Sequence, residues 1–288
     1  MLVVATTSCF SGSKKTDNIT YSSMYGRYKQ ACADHHYQQP TQAQIDQAHQ
    51  LFRALFAGEV KGQSAEAWQA LGFELTLLTP QLVLIADNSQ TGQGFFLIRL
   101  AHYQTLTVQA PHSFYDRNTG RLALKLFLEG NWRALALNTT HRYNAVPATE
   151  SGSDMAHLPA SHFQAFSQAW FEHRAGALIQ LHGFSASKRT STTAANADMI
   201  LSGGSGEPSS KLVKLTARMA EVSSLSCLLY GRDVFELGGT RNSQQQLARK
   251  LGFTGFLHLE MGASARKVLL EDKQLRLEWR HALETFSL

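Results

Sequence analysis

The spacing of apolar positions changes along the chain, and each change predicts an element. Residues 10 to 42 are polar, rich in Ser, Gln, Tyr and His, with little periodicity; they predict an extended lead-in or tether. In TQAQIDQAHQLFRALFAGE (41–59), Ile45, Ala48, Leu51, Phe52, Leu55 and Phe56 recur at helical spacing behind Thr41, a suitable N-cap. AEAWQALGF predicts a short helix stopped at Gly72. The period then falls to two. ELTLLT, LVLIADN, GFFLIRL and LTVQAP read as four strands, with turn residues Pro80, Asn88, Gly92 and Gly94 between them. The third strand is expected at a sheet edge or in a hairpin closed by DNSQTGQG.

Beyond residue 118 strands and helices alternate. A helix is predicted over 119–130, a strand in RALALNTTHRYN ending on His141 and Arg142, an aromatic-rich helix over 162–176, and a strand GALIQLHGF ending on His182. The Ser/Thr loop FSASKRTSTTAANA is a candidate lid. There follow a strand (DMILSGG), a Gly-rich turn into a helix, a strand in LSCLLYGRDVFELGG, a helix (TRNSQQQLARKLG), the strand FLHLEM, and a mostly helical 266–286. This alternation predicts an α/β fold, three-layer α/β/α with a mixed, mostly parallel central sheet. The expected organisation is a tether or signal remnant over 1–40 and one α/β domain over 41–288. In such sheets, sites form where strands end.

Composition narrows the function. Hydrophobic residues make up 43% of the 288 residues and charged ones 17%, enough to bury a substantial core. The net charge of +5 comes without a dense basic patch interleaved with aromatics, so no nucleic-acid partner is expected. Cys9, Cys32 and Cys227 include no CxxC pair, which excludes a cysteine-based zinc finger. Cys32 and Cys227 read as small apolar residues or one optional disulfide. Cys9 follows MLVVATTS and precedes a polar segment, like the tail of a lipoprotein signal. That reading predicts membrane attachment through a lipid on Cys9 and a cell-envelope or periplasmic location. The competing reading is a short frayed N-terminus on a cytoplasmic protein.

The candidate chemistry begins at LTVQAPHSFYD, where an apolar strand stops at Pro111 and presents His112 and Asp116. The strands ending at His182 and Glu260 repeat the arrangement. A hydrolytic zinc site needs three protein ligands, an open position and a nearby base. His112, Asp116 and His182 supply two imidazoles and a carboxylate, and Glu260 is the candidate general base. Arg142, Arg241 or Arg266 could grip a substrate carboxylate by a two-point fork. Asp116 could instead cap the helix near Thr119. His258, two residues before Glu260, shares its strand face. Glu236 in FELGG rivals Glu260 as base, and Arg241 and Asn242 follow it. Glu129, at a helix end, is a weaker carboxylate candidate, and His141 reads as a solvent-facing residue. GGSGEPS (203–209) lacks the Lys-Ser/Thr of a phosphate loop and the pattern of a nucleophile elbow, which excludes nucleotide binding and a serine hydrolase.

The order PHS, HRYN, LHGF, LEMGASAR resembles the N-formylglutamate amidohydrolase family, and more broadly the zinc carboxypeptidase-like exopeptidases. The matching residues are Pro111-His112-Ser113, Arg142-Tyr143, Gln180-Leu181-His182-Gly183, and His258-Leu259-Glu260 running to Arg266. Phe114 stands where the family has Gly, and Gly183 follows His182 where it has Ser. The resemblance implies a divergent phosphorylase/hydrolase-like member with one zinc per chain. It would hydrolyse an amide or peptide bond in a carboxylate-bearing substrate, such as a small peptide or N-acyl amino acid. The alternative is an inactive envelope binding lipoprotein that keeps the fold.

Overall fold

The computed structural model describes residues 19–32, 37–59, 64–144, 152–174 and 176–287. Cys9 and the histidines at 35 and 36 lie outside them, and with Cys9 the lipid-anchor expectation.

Helices start where a side chain can take up an orphan backbone N–H. Thr20 and Thr41 form capping boxes with Ser23 and Gln44, opening α1 (Tyr21–Ala31) and α2 (Gln42–Phe56). Helix α1 corrects the tether expectation. Met24, Tyr28 and Ala31, spaced four and three residues apart, are buried on one face, and the Tyr28 hydroxyl donates to the carbonyl of Asn138 at 3.0 Å. A short α3 (Ala65–Gln69) precedes β1 (Phe73–Thr79), β2 (Leu82–Asp87), β3 (Phe95–Arg99) and β4 (Gln104–Ala110). The β2–β3 hairpin is organised by Asp87, whose carboxylate accepts from the amides of Ser89, Gly92 and Gln93 at 3.0, 2.7 and 2.8 Å.

The chain continues through α4 (Thr119–Glu129), β5 (Trp132–Leu137), α5 (His162–His173), β6 (Ala177–Gly183), α6 (Thr192–Ala195) and β7 (Met199–Ser202). It ends with α7 (Ser210–Val222), β8 (Cys227–Leu229), α8 (Ser243–Lys250), β9 (Phe256–Met261), α9 (Ala263–Glu271) and α10 (Lys273–Glu284). The C-terminal helix is therefore two, parted at Asp272, which ends one and caps the next.

The described strands form one sheet in the order β1-β2-β3-β5-β4-β6-β9-β7-β8. Its centre, β5-β4-β6-β9, is parallel; β1, β2, β3 and β7 join antiparallel to their inner neighbours. Strand β3 is a hairpin partner of β2 but not an edge, since β5 flanks it. One apolar layer buries residues of α1, α4, α7, α9 and α10 against the sheet; the other buries α2, α5 and α8. This is the expected α/β/α arrangement. Cys32 and Cys227 do not bridge each other. No helix among the described residues is long and apolar enough to cross a membrane.

In the second layer His162 opens α5 beside the ring of Phe73, 5.1 Å away. Burial pushes its pKa from 6.5 down to about 4. The unfolded chain therefore takes up this proton first as pH falls. The stability held above pH 6.5 is lost toward pH 4, by up to about 3 kcal/mol. His162→Phe should flatten that part of the curve in denaturant titrations; an unchanged slope would exclude His162 as the cause.

Candidate metal centre and active-site cleft

Three adjacent parallel strands deliver the site from their carboxyl ends. Strand β4 stops at Ala110, Pro111 follows, and His112 leads a turn closed by the amide of Asp116 donating to the carbonyl of His112 at 2.8 Å. That turn brings the two side chains together. On β6 and β9, Gln180 lies opposite His258 and His182 opposite Glu260. The two-residue strand period puts all four on one face. The Asp116 carboxylate does not cap α4, whose N-cap is Asn118. Its Oδ2 accepts from the amide of Gly183 at 2.9 Å and lies 3.2 Å from His112 Nδ1 and 3.7 Å from His182 Nδ1.

The outer nitrogens of both histidines are held. Nε2 of His112 meets Asp154 Oδ1 at 2.7 Å, and Nε2 of His182 meets Gln180 Oε1 at 2.8 Å. Asp154 is itself positioned by an ion pair with Arg142 and by the amide of Ala156 at 3.2 Å. Both Nδ1 atoms are thus turned toward Asp116. A tetrahedral ion with bonds of about 2.0–2.1 Å sets its ligand atoms about 3.3 Å apart. The spacings to Asp116 straddle that value, so His112, Asp116 and His182 fit a divalent cation such as zinc.

The electrostatics agree. Burial opposes a charge on His112, but hydrogen bonds and charge from Asp116 and Asp154 outweigh it and raise its pKa to about 9. Two buried carboxylates thus draw positive charge to this point, which a cation would also supply. His182 is pushed well below its ordinary value by burial, then by His258 and His112. Glu260 is raised to about 8 by burial and by the charge of Asp116.

His182, His258 and Glu260 form a second close triple. It lacks the outer support that ligating histidines nearly always have, because His258 Nδ1 has no hydrogen-bond partner among the described residues. Glu260 Oε2 likewise has no partner among the described residues, while its Oε1 lies 3.8 Å from His258 Nε2. A free carboxylate oxygen beside the first triple suits a base. Gly239 presses on His258: an added Cβ there would meet its Cδ2 at 2.6 Å.

Glu236 points elsewhere. Its carboxylate accepts from the amides of Thr190 and Ser191 at 3.1 and 2.8 Å and from the Ser191 hydroxyl at 2.8 Å. These bonds hold its pKa down at about 2 and tie the Ser/Thr loop to the FELGG turn. Both oxygens of Glu236 are thus engaged, whereas Glu260 keeps one without a partner among the described residues. Glu129 is also removed from contention, bound to Arg276 at 2.6 Å.

The cleft encloses about 760 Å³, and Arg142, Lys188, Arg189, Arg241 and Arg266 all line it. Arg142 lies against the rings of Tyr115 and Tyr143. Arg241 is exposed at the rim. Arg266 is buried behind Gly183; its Nε donates to the carbonyl of Arg117 at 2.8 Å and its Nη1 to that of Met261. Those bonds commit most of its fork to main chain, so Arg142 and Arg241 are better placed to reach a ligand. His141 is half-buried at the cleft mouth, its ring 5.6 Å from those of both Tyr115 and Tyr143, which are themselves exposed. Sequence reasoning missed Asp154 and Lys188. Neither carries a local signal: Asp154 sits in an irregular loop and Lys188 in a short 3-10 turn, Ala186–Lys188.

No family model and no curated protein matches this sequence. Solved structures do resemble it. A bacteriophage poly-gamma-glutamate hydrolase aligns at 12% identity over 64% of this chain and 84% of that one, with a TM-score of 0.42. A metallo-carboxypeptidase from Burkholderia cenocepacia aligns at 9% identity over 81% and 66%, with a TM-score of 0.38. N-formylglutamate amidohydrolase from Ralstonia eutropha aligns at 13% identity over 66% of this chain and 97% of that one, with a TM-score of 0.41.

Proposed function

We propose that this chain is a zinc-dependent hydrolase of an amide or peptide bond in a small carboxylate-bearing substrate, a short peptide or N-acyl amino acid. The observation that carries the reading is the convergence of His112 Nδ1, Asp116 Oδ2 and His182 Nδ1 beside the unpartnered oxygen of Glu260. A zinc ion held by those three residues would polarise the scissile carbonyl and acidify water. Glu260 takes the proton of the attacking water and returns it to the leaving amine. Its raised pKa suits a group that must both accept and release a proton. Arg142 and Arg241 orient the substrate carboxylate from the cationic wall of the cleft.

The test is hydrolysis of a panel of N-formyl and N-acetyl amino acids and short peptides, before and after chelation. Activity lost with chelator and restored by about one equivalent of zinc supports the reading. Turnover indifferent to chelation would overturn it.

A further inference from the structure

Gln180, Asn242, Gln244 and Gln109 form a buried amide chain behind the site. Asn242 Nδ2 donates to Gln180 Oε1 at 2.6 Å, and Gln180 Nε2 donates to Gln244 Oε1 at 3.1 Å and Gln109 Oε1 at 3.2 Å. We infer that Asn242 and Gln180 are positioning residues that fix His182 as its Nε2–H tautomer, so that Nδ1 presents its lone pair toward Asp116. The inference deepens the reading of His182 as a metal ligand and rests on it for its functional consequence.

The direction of each amide is set by main chain, whose N–H groups only donate and whose carbonyls only accept. Asn242 caps α8: its Oδ1 accepts from the amide of Gln245 at 3.0 Å, so its nitrogen must face Gln180. At another end Gln244 Nε2 donates to the carbonyl of Met155 at 2.8 Å, leaving its oxygen for Gln180. At the third, Gln109 Nε2 donates to Ser167 Oγ at 2.8 Å, whose hydrogen goes to the carbonyl of Phe163 at 3.0 Å. Three pinned ends leave Gln180 Oε1 one role, acceptor. His182 Nε2, 2.8 Å from that oxygen, must then carry the hydrogen. A residue 62 positions from Gln180 thus sets which nitrogen of His182 is open.

Asn242→Asp separates this role from packing. An aspartate keeps the shape and the helix cap but has no N–H for Gln180, and it sets a carboxylate oxygen against Gln180 Oε1. Ring 15N shifts of His182 would be read in the metal-free full-length chain at neutral pH, assigned by their loss in His182→Ala. Zinc affinity would be read by chelator competition. The wild type should show a single Nε2–H tautomer. Asn242→Asp and Gln180→Leu should both show the Nδ1–H form and bind zinc about 10–100-fold more weakly, as expected when an outer partner of a ligand is lost. A wild type carrying Nδ1–H would overturn the inference. So would variants that keep the Nε2–H form and an affinity within about twofold of wild type, given that typical loss. A wild type with the Nε2–H tautomer that binds no zinc would uphold the positioning and overturn the proposed function instead.

Discussion

Glu260→Gln is expected to lower kcat by about 10²–10⁴-fold, the usual contribution of a positioned general base, while leaving zinc content and KM nearly unchanged. Glutamine fills the same volume on β9 but cannot accept a proton. Glu260 is not one of the three converging ligands, so its replacement leaves them intact. The fold should also survive. Burial and the neighbouring charge of Asp116 already disfavour the ionised form, so a neutral side chain of the same shape suits the position. Steady-state kinetics with metal analysis on the same preparation checks both halves. A variant that turns over like wild type would sink the assignment, and Glu236 would not inherit it, because its oxygens are engaged by Thr190 and Ser191.

Removing a ligand should act on binding rather than on chemistry. His112→Ala and His182→Ala are each expected to take the zinc content from about one per chain to none on dialysis, with turnover lost in step. Each leaves two ligands of three, and a two-ligand site holds zinc too weakly to survive purification. His112→Ala carries a second consequence. It leaves Asp116 and Asp154, both buried, without the imidazole that lies between them, so the variant should also lose stability in its metal-free form. Elemental analysis beside thermal melts separates the effects. Zinc retained in both variants would sink the proposed site; zinc lost in both without loss of activity would sink the proposed chemistry.

Local signals carried much of the fold. The stripe from Ile45 to Phe56 behind Thr41 became α2. The DNSQTGQG turn closed a hairpin around Asp87. Period and capping act over a few residues, so a linear reading detects them. Helix α1 escaped because its three buried positions are scattered among polar residues, which lowers the contrast between its faces. The residues of the candidate site were legible to the same depth. His112 and Asp116 are joined within one turn, and His258 and Glu260 share a strand face by the two-residue period.

Residue spacing alone therefore determined the alternation of strands and helices and the strand ends that carry His112, His182 and Glu260, and left Asp116 open between partnering His112 and capping a helix. Tertiary structure decided the rest. The order β5-β4-β6-β9 put β4 and β9 on either side of β6 and so brought His112 and Glu260 to His182. It delivered Asp154 to His112 across 42 residues and Asn242 to Gln180 across 62. It turned Glu236 onto the Ser/Thr loop and folded Arg266 back onto main-chain carbonyls. The reason is physical. Strand order is chosen by burying both faces of the whole sheet, and a buried polar group takes whichever partner that packing leaves within reach.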